Sequence, residues 1–581
     1  MAKSTILNAS RPADLVTTSI YVDGVEVSAE HQVLNIVVEK EINRIPEARI
    51  VVLDGDPAER DFHVSNEEIF LPGKEIEIKA GYHSDEETIF KGIVVKHSVK
   101  IRSDHSYLNL VCKDKSVKLT IGRKSKYFYE KTDSEIIGEI VDSYDLEKEL
   151  DNTAVHYKEM VQYNATDWDF CVIRAQANGK VCIVDDGKIS IKQPDTAQEE
   201  VETFTFGSTI LDFDAVMDAR SQMENIKTYA WDAGDQELKE AEANSPSVEL
   251  NGNVDFKELS KALSKLSLDI KNDGGLEIEE LQQWADAKFL FGRMGKIRGR
   301  VRFQGLSSVK PGVVVKLNGV GDRFNGKVFI SGVRHQVVNG LWTTDAQFGL
   351  DPKWFAEKVD VNEVPAAGLV AAVNGLHIGI VTQLESDPES EDRIKVSMPV
   401  IDDMEQGVWA RIATLDAGEN RGSFFRPEIG DEVIVGFINA DPRQAVVLGM
   451  LNSSAKPAPL QAADENNEKG FVTRSELKLM FNDDKKSVVM ETPAGKKITI
   501  DEDAGVIKLE DENSNVVTLS DSGIEIKSGS DISLKATGDV NIEGMNVNLK
   551  ANAQFKAEGT AGAEVSATAT TVIKGAMVQI N

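Results

Sequence analysis

Residues 522–550 read SGIEIKSGSDISLKATGDVNIEGMNVNLK, and this stretch decides the fold of the C-terminal part of the chain. Two apolar residues flanking one polar residue recur about every eight positions: Ile524 and Ile526, Ile532 and Leu534, Val540 and Ile542, Val547 and Leu549, then, after a looser patch, Val578 and Ile580. Period two inside each unit turns both apolar side chains to one face and Glu525, Ser533, Asn541 and Asn548 to the other. Gly523, Gly529, Gly538 and Gly544 separate the units, as a sharply turning chain requires. The whole stretch from Lys496 to Asn581 therefore reads as a strand-and-turn solenoid. A strand with two inward side chains is too short to stand alone, so the units must stack. Either one chain coils as a three-sided solenoid, or three chains wind round one axis, and periodicity does not separate the two. With strands roughly 4.8 Å apart, the intertwined form would be a prism on the order of 50 Å long.

The 581 residues suffice for three or four domains, and a hydrophobic content of 41% is ordinary for a soluble protein. No apolar run is long enough to span a bilayer, and the N-terminal MAKSTILNASRPADLVTTSIYVDG lacks the apolar core of a secretory signal. Synthesis in the cytoplasm without a signal peptide is expected. Cys112, Cys171 and Cys182, an odd number without zinc-type spacing, read as reduced buried thiols. The net charge of −31 argues against nucleic acid or an anionic membrane as partner. Three copies would triple that charge, so assembly must rest on buried apolar area rather than on surface ion pairs.

From Tyr21 to about Asp114 the runs VLNIVVE, ARIVVLDGDP, GKEIEIKAGY, ETIFKGIVVKHSVKI and SYLNLVCKD read as strands of a barrel or curled sheet. TDSEIIGEIVDSYDL then offers Thr132, Asp133 and Ser134 as caps of a helix. QYNATDWDFCVIRAQANGKVCIVDDGKISI gives a helix from about Asp167, a stop at Asn178 and Gly179, and a hairpin turning at Asp186 and Gly187. Two amphipathic helices are expected between Phe256 and Phe291, with DIKNDGGLEIEE between them. That segment imitates a calcium loop from Asp269 to Glu280, but Lys271 puts an ammonium where a ligand oxygen belongs, so it reads as a helix-to-helix turn. Gly319, Gly321 and Gly326 fall between strands and read as turn glycines, not a nucleotide loop.

The combination of FKGIVVKH, QYNATDWDF with its short helix and hairpin, and KPGVVVKLNGVGDRFNGKVFISGVRH resembles the hub of VgrG-type spike proteins and of phage late-control tail hub proteins. After a small-residue linker around Pro365, RIKVSMPV, WARIATLDAG and RPEIGDEVIVGFINADPRQAVVLGMLNS resemble the oligomer-binding (OB) type barrel of the same spikes, with Arg393, Trp409, Gly430, Asp431 and Asp441 where that pattern has them. The barrel is acid-rich and lacks the basic and aromatic platforms of nucleic-acid binding, so it reads as a structural collar. The fold class expected is mainly β with a smaller α+β part. Residues 1–365 would form a hub of two β-barrels with a helical insertion, 366–453 an OB-fold collar, 454–485 a linker with connecting strands, and 486–581 a needle.

The resemblance implies that the needle is an intertwined trimeric β-helix with Ile524, Ile526, Ile532, Leu534, Val540, Ile542, Val547 and Leu549 in its core. It implies a homotrimer at the tip of a contractile injection machine, sitting on an Hcp-like inner tube and baseplate proteins. A PAAR-type tip protein would bind at Val578, Ile580 and Asn581, effectors would be carried non-covalently, and the particle would be ejected on contraction to puncture its target. The lysozyme domain of the phage relatives has no room in the short linker after Asn452, and the ending GAMVQIN suggests no appended toxin. Neither HExxH, a P-loop nor a GxSxG elbow is present, and the eight histidines never fall as HxH or HxxxH, so neither catalysis nor a metal or other cofactor is expected. The alternatives are a contractile phage tail hub and spike, or a polysaccharide-processing enzyme on a single-chain β-helix.

Overall fold

The computed structural model describes residues 15–263, 267–402 and 406–580, and the chain divides after Ala372 into two units. In the first unit the alternating runs form one 13-stranded sheet. Its first half buries Ile36, Val38, Ile50, Val52, Ile76, Ile78, Leu108 and Leu110 on a single face, as period two dictates. The second half, from Asp212–Met217 to Leu341–Phe348, has its own core of Val301, Phe303, Val315, Leu317, Ile330 and Phe348. The two barrel-like parts expected here are thus two halves of a continuous sheet, each around a separate apolar core.

The halves join where Val33–Glu41 pairs antiparallel with Gly326–Val338, with Val333 opposite Lys40 and His335 opposite Val38. Trp342 comes from a second-half strand yet packs into the first core. Gly305 makes that possible, since a Cβ there would stand 2.0 Å from the indole ring.

The helical insertion has the expected order. Helix Asp133–Asp142 starts with a capping box between Thr132 and Glu135, and helix Asp167–Ala177 is capped by Thr166. The hairpin Val181–Asp185 and Lys188–Lys192 turns at Asp186 and Gly187, both with positive φ. All three cysteines are buried free thiols, and burial pushes the Cys112 thiol up to about 12.

The hairpin turn locks the sheet seam. Buried Lys40, from the first half, donates to Asp185 and, at 3.0 Å, to Asp186, while Lys310 from the second half donates to Asp185 at 2.8 Å. Burial alone would raise the Asp185 carboxyl, but the two ammonium groups outweigh it and hold it below the usual range.

One feature between Asn225 and Met294 differs from the sequence reading. Helices Phe256–Ala262 and Ile278–Met294 are present, but Ser267–Asn272 is a strand, parallel to Asn225–Asp232, where a turn was expected. Asp269 therefore sits in a sheet, and Glu280 sits on a helix facing Arg174 at 3.9 Å, so no loop surrounds a cation there. The short run around Ile270 lacks enough length for strand periodicity to stand out; a partner strand decides its state.

In the second unit, His377–Gln383, Ile394–Ser397, Val408–Ile412, Ala445–Met450 and Glu432–Phe437 close into a five-stranded barrel. Its core is small and mostly β-branched: Val381, Ile394, Val396, Ala410, Val433, Val435, Ala445 and Val447. The motif residues fix its loops. Arg393 forks onto Asp387, whose carboxylate also accepts from the Glu389, Glu391 and Arg393 amides. Asp431 accepts from the Glu428 amide at 2.8 Å, and Asp441 is bound by Arg443 at 2.6 Å.

Two predictions follow from the hub's buried polar groups. Fully buried Asp133 accepts from Arg174 Nε at 2.7 Å, from Arg174 Nη2 at 2.9 Å and from Asn178 at 2.7 Å. Asp133→Ala strands the guanidinium and should cost about 3–5 kcal/mol in denaturant unfolding; a loss under ~1 kcal/mol would contradict this. His335 is buried against Thr344, and burial, then Lys40 and Lys310, push its imidazole down to about 3. An unfolded histidine protonates near pH 6.5, so stability held above that pH is lost as pH falls toward 3. The urea midpoint should therefore drop between pH 7 and pH 4.5, and drop less in His335→Gln; equal slopes in the two proteins would refute the assignment.

Candidate assembly interface

Residues 496–527, read from the sequence as the start of the solenoid, do not coil but continue a sheet that begins at Glu468. Strands Glu468–Val472, Lys478–Asn482, Ser487–Glu491, Lys497–Asp501, Val506–Glu510, Val516–Ser520 and Gly523–Lys527 form a seven-stranded antiparallel meander in chain order. Tight connections cause this: Gly495, Gly505, Ser514 and Gly523 all have positive φ, which reverses the chain within a few residues. The turns PAGK, EDAG and ENSN carried that signal in the sequence, and the apolar periodicity masked it.

The register stacks side chains into two apolar columns. Phe481, Val488, Ile500, Ile507, Leu519 and Ile524 face one another across successive strands, and so do Phe471, Leu479, Met490, Ile498, Leu509, Val517 and Ile526. Cross-strand partners lie on the same face, so the columns form one apolar surface two residues wide. Of these residues only Ile524 and Ile526 were singled out from the sequence. The opposite face is mixed: Lys478, Glu491, Lys497 and Glu510 alternate in sign across four strands, alongside Met480, Val489, Val506 and Val516.

Nothing in the described chain covers the apolar face. Ile500 is 50% exposed and Ile526 57%, whereas hub and barrel cores are essentially closed. Such a face on a thin sheet is an interaction surface by its physics.

Beyond Lys527 the chain changes character. Residues 528–580 contain no strand or helix, and Ile532, Leu534, Val540, Ile542, Val547, Leu549, Val578 and Ile580 are each more than half exposed. Asn581 lies outside the described residues. Of the residues singled out from the sequence, Ile524 and Ile526 share the last strand of the meander, and Ile532 lines a cavity with Ile526, Leu509 and Val517. The exit from the sheet is fixed by Asn515, whose side-chain oxygen accepts from Ser528 Oγ at 2.8 Å and from the Gly529 amide at 3.2 Å. The entry is fixed too: Phe471 stacks on Phe425 of a barrel loop at 5.3 Å, and Arg474 bonds Glu428 at 2.8 Å.

The chemistry available here is association. The two columns carry only apolar side chains, and among the described residues no cluster of histidine, cysteine or carboxylates could hold a metal ion. No helix among the described residues is long and apolar enough to cross a membrane.

Comparison with known proteins follows the same three parts. A family model described as the Alg8 N-terminal domain matches residues 12–339, one described as the type VI secretion system/phage-baseplate injector OB domain matches 377–451, and one described as the phage baseplate V C-terminal trimerisation domain matches 487–581. The type VI secretion system spike protein VgrG1b of Pseudomonas aeruginosa is 26% identical over 217 residues, which is 34% of this chain and 28% of that protein. Spike protein VgrG3 of Vibrio cholerae is 37% identical over 60 residues, 10% of this chain and 6% of its own. The matched region thus spans less than a third of the length of these curated relatives. Among solved structures, the 43 kDa tail protein of prophage MuSo2 from Shewanella oneidensis aligns at 10% identity and a TM-score of 0.44, covering 58% of this chain and 98% of that one. The Alg8 N-terminal domain model covers more than half of the chain, so the chain belongs to the Alg8 N-terminal domain family, and the matches to the injector OB domain and the trimerisation domain follow it in order.

Proposed function

We propose that three copies of this chain form the spike at the tip of a contractile injection machine. The observation that carries the reading is the uncovered apolar surface of residues 471–526, continued by the apolar pairs up to Ile580. Three such faces meeting at an axis cover one another, and each buried isoleucine or leucine then contributes about 1.5–3 kcal/mol. In this reading Ile524, Ile526, Ile532, Leu534, Val540, Ile542, Val547 and Leu549 form the trimer core. Segments 528–580 pair edge to edge with the same segments of the other two chains. The alternating Lys and Glu columns face water.

The function is mechanical. A shaft whose strands are hydrogen-bonded to neighbouring chains at every level resists bending, because no strand can leave without breaking a whole ladder. The hub sits on an Hcp-like inner tube and baseplate proteins, the barrel acts as a collar, and the shaft passes thrust to a PAAR-type tip protein held around Val578, Ile580 and Asn581. Effectors travel bound non-covalently, and contraction ejects the spike from the cell or particle that assembled it, through the target envelope.

Two measurements test this. Leu534→Asp or Ile542→Asp sets three like charges close to the axis and should abolish the trimer in size-exclusion chromatography with light scattering; a soluble, intact trimer would count against the proposal. Amides of residues 530–577 should exchange slowly in the assembled protein and fast in the Leu534→Asp variant, while residues 15–372 keep their protection in both. Slow exchange in a monomeric variant would mean that the segment folds alone.

A further inference from the structure

The hub holds a cavity of about 630 Å³ that the spike reading leaves unused. It lies between one face of helix Ile278–Met294, the end of helix Asp167–Ala177 at Asn178 and Gly179, and the segment from Asn244 to Pro246. Its apolar wall is Val155, Ile278, Ala287 and Leu290, and Ile278 is 44% exposed at the mouth.

The polar lining is one-sided. Glu279 and Asp286 bring two carboxylates, Gln282, Gln283 and Asn244 bring side-chain amides, and no lysine or arginine lines the space. Neighbouring cations are already engaged: Arg174 with Asp133, Lys288 with Glu357 at 2.9 Å, and Lys180 with Asp151 at 3.6 Å. Asp286 is held in place by the Asn244 amide at 2.6 Å and by Gln282 at 3.0 Å, so its position does not depend on a ligand. Gln282 donates to the Glu242 carbonyl and Gln283 to Asn178, which leaves their side-chain oxygens as acceptors. The start of the helix adds only a partial positive charge, which Glu279 and Glu280 offset.

We infer that this cavity is a docking site for a segment of another protein carrying a lysine or arginine between aliphatic residues. The aliphatic stem of such a side chain matches the Ile278 and Leu290 wall while its head reaches Glu279 and Asp286. The flanking peptide groups find acceptors and donors in the glutamine and asparagine amides, the usual composition of a preformed site with few polar anchors. The inference rests on the cavity alone and stands or falls independently of the trimer.

The test uses the full-length protein and fluorescein-labelled hexapeptide amides with one central lysine or arginine among aliphatic residues, set against a matching library with central glutamate. Fluorescence anisotropy should show saturable binding of members of the basic set and none of the acidic set. Hydrogen exchange should slow around residues 278–290 when peptide binds. Ile278→Ser and Glu279→Lys, both at exposed positions, should each weaken binding by about tenfold or more with the thermal melt unchanged. Absence of saturable binding by the basic library, equal binding of both libraries, or indifference to both substitutions would overturn the assignment. So would complete displacement by spermidine that ignores Ile278→Ser, since that describes a site for free polycations.

Discussion

Everything from Glu468 to the end of the described chain follows from an unmet demand for partners. A strand of five residues offers two or three side chains to a core and two backbone edges to neighbours, and alone it recovers neither. The meander from Glu468 to Lys527 meets half of that demand, because each strand pairs with the next and only the outermost edges stay open. Its apolar face is still uncovered, and from Ser528 onward the edges are open as well. The sequence keeps placing isoleucine, leucine and valine through a region where its own chain buries none of them. That pattern makes physical sense only when the missing neighbours are supplied by other molecules.

Seen this way, the change at Lys527 is a change in who supplies the neighbour. Hairpins with positive-φ turns let one chain build a sheet by itself; once they cease, each successive unit needs an edge from elsewhere. Asn515 and Asp511 sit at that boundary, binding Ser528, Gly529 and the turn amides, and so set the direction in which the chain leaves the sheet. The polar columns of the meander matter for the same reason. Lys and Glu alternating across strands complement one another, and Glu491, Lys497 and Glu510 are partly buried, so the face left exposed for association is the one that carries Ile498, Ile500, Ile507 and Leu509.

Much of this was legible in the residues. The helix cap at Thr132, the helix start near Asp167, the hairpin at Asp186 and Gly187, the turn glycines of 319–326 and the alternating strands of the hub all follow from local rules, and the structure has them. Three things were not legible. The hub strands give no sign that Gly326–Val338 pairs with Val33–Glu41 to make a continuous sheet, because register between distant strands depends on packing such as that of Trp342 over Gly305. The run around Ile270 becomes a strand only through its partner Asn225–Asp232. In the C-terminal unit, apolar pairs at regular spacing look the same whether the chain turns back beside itself or continues along an axis, so the meander and its eleven further apolar positions were hidden behind the period that disclosed Ile524 and Ile526.

The hub obeys a different logic. Its cores are closed, buried Lys40 is paired with Asp185 and Asp186 beside Lys310, and its strands find their partners within the same chain. The hub and the barrel each close a core within one chain, whereas the stretch from Glu468 onward leaves its apolar side chains uncovered. The most direct check is sedimentation velocity of the full-length protein at micromolar concentration. A single species at three times the chain mass of 63.6 kDa is the expected result. A stable monomer with residues 528–580 folded would contradict the central claim.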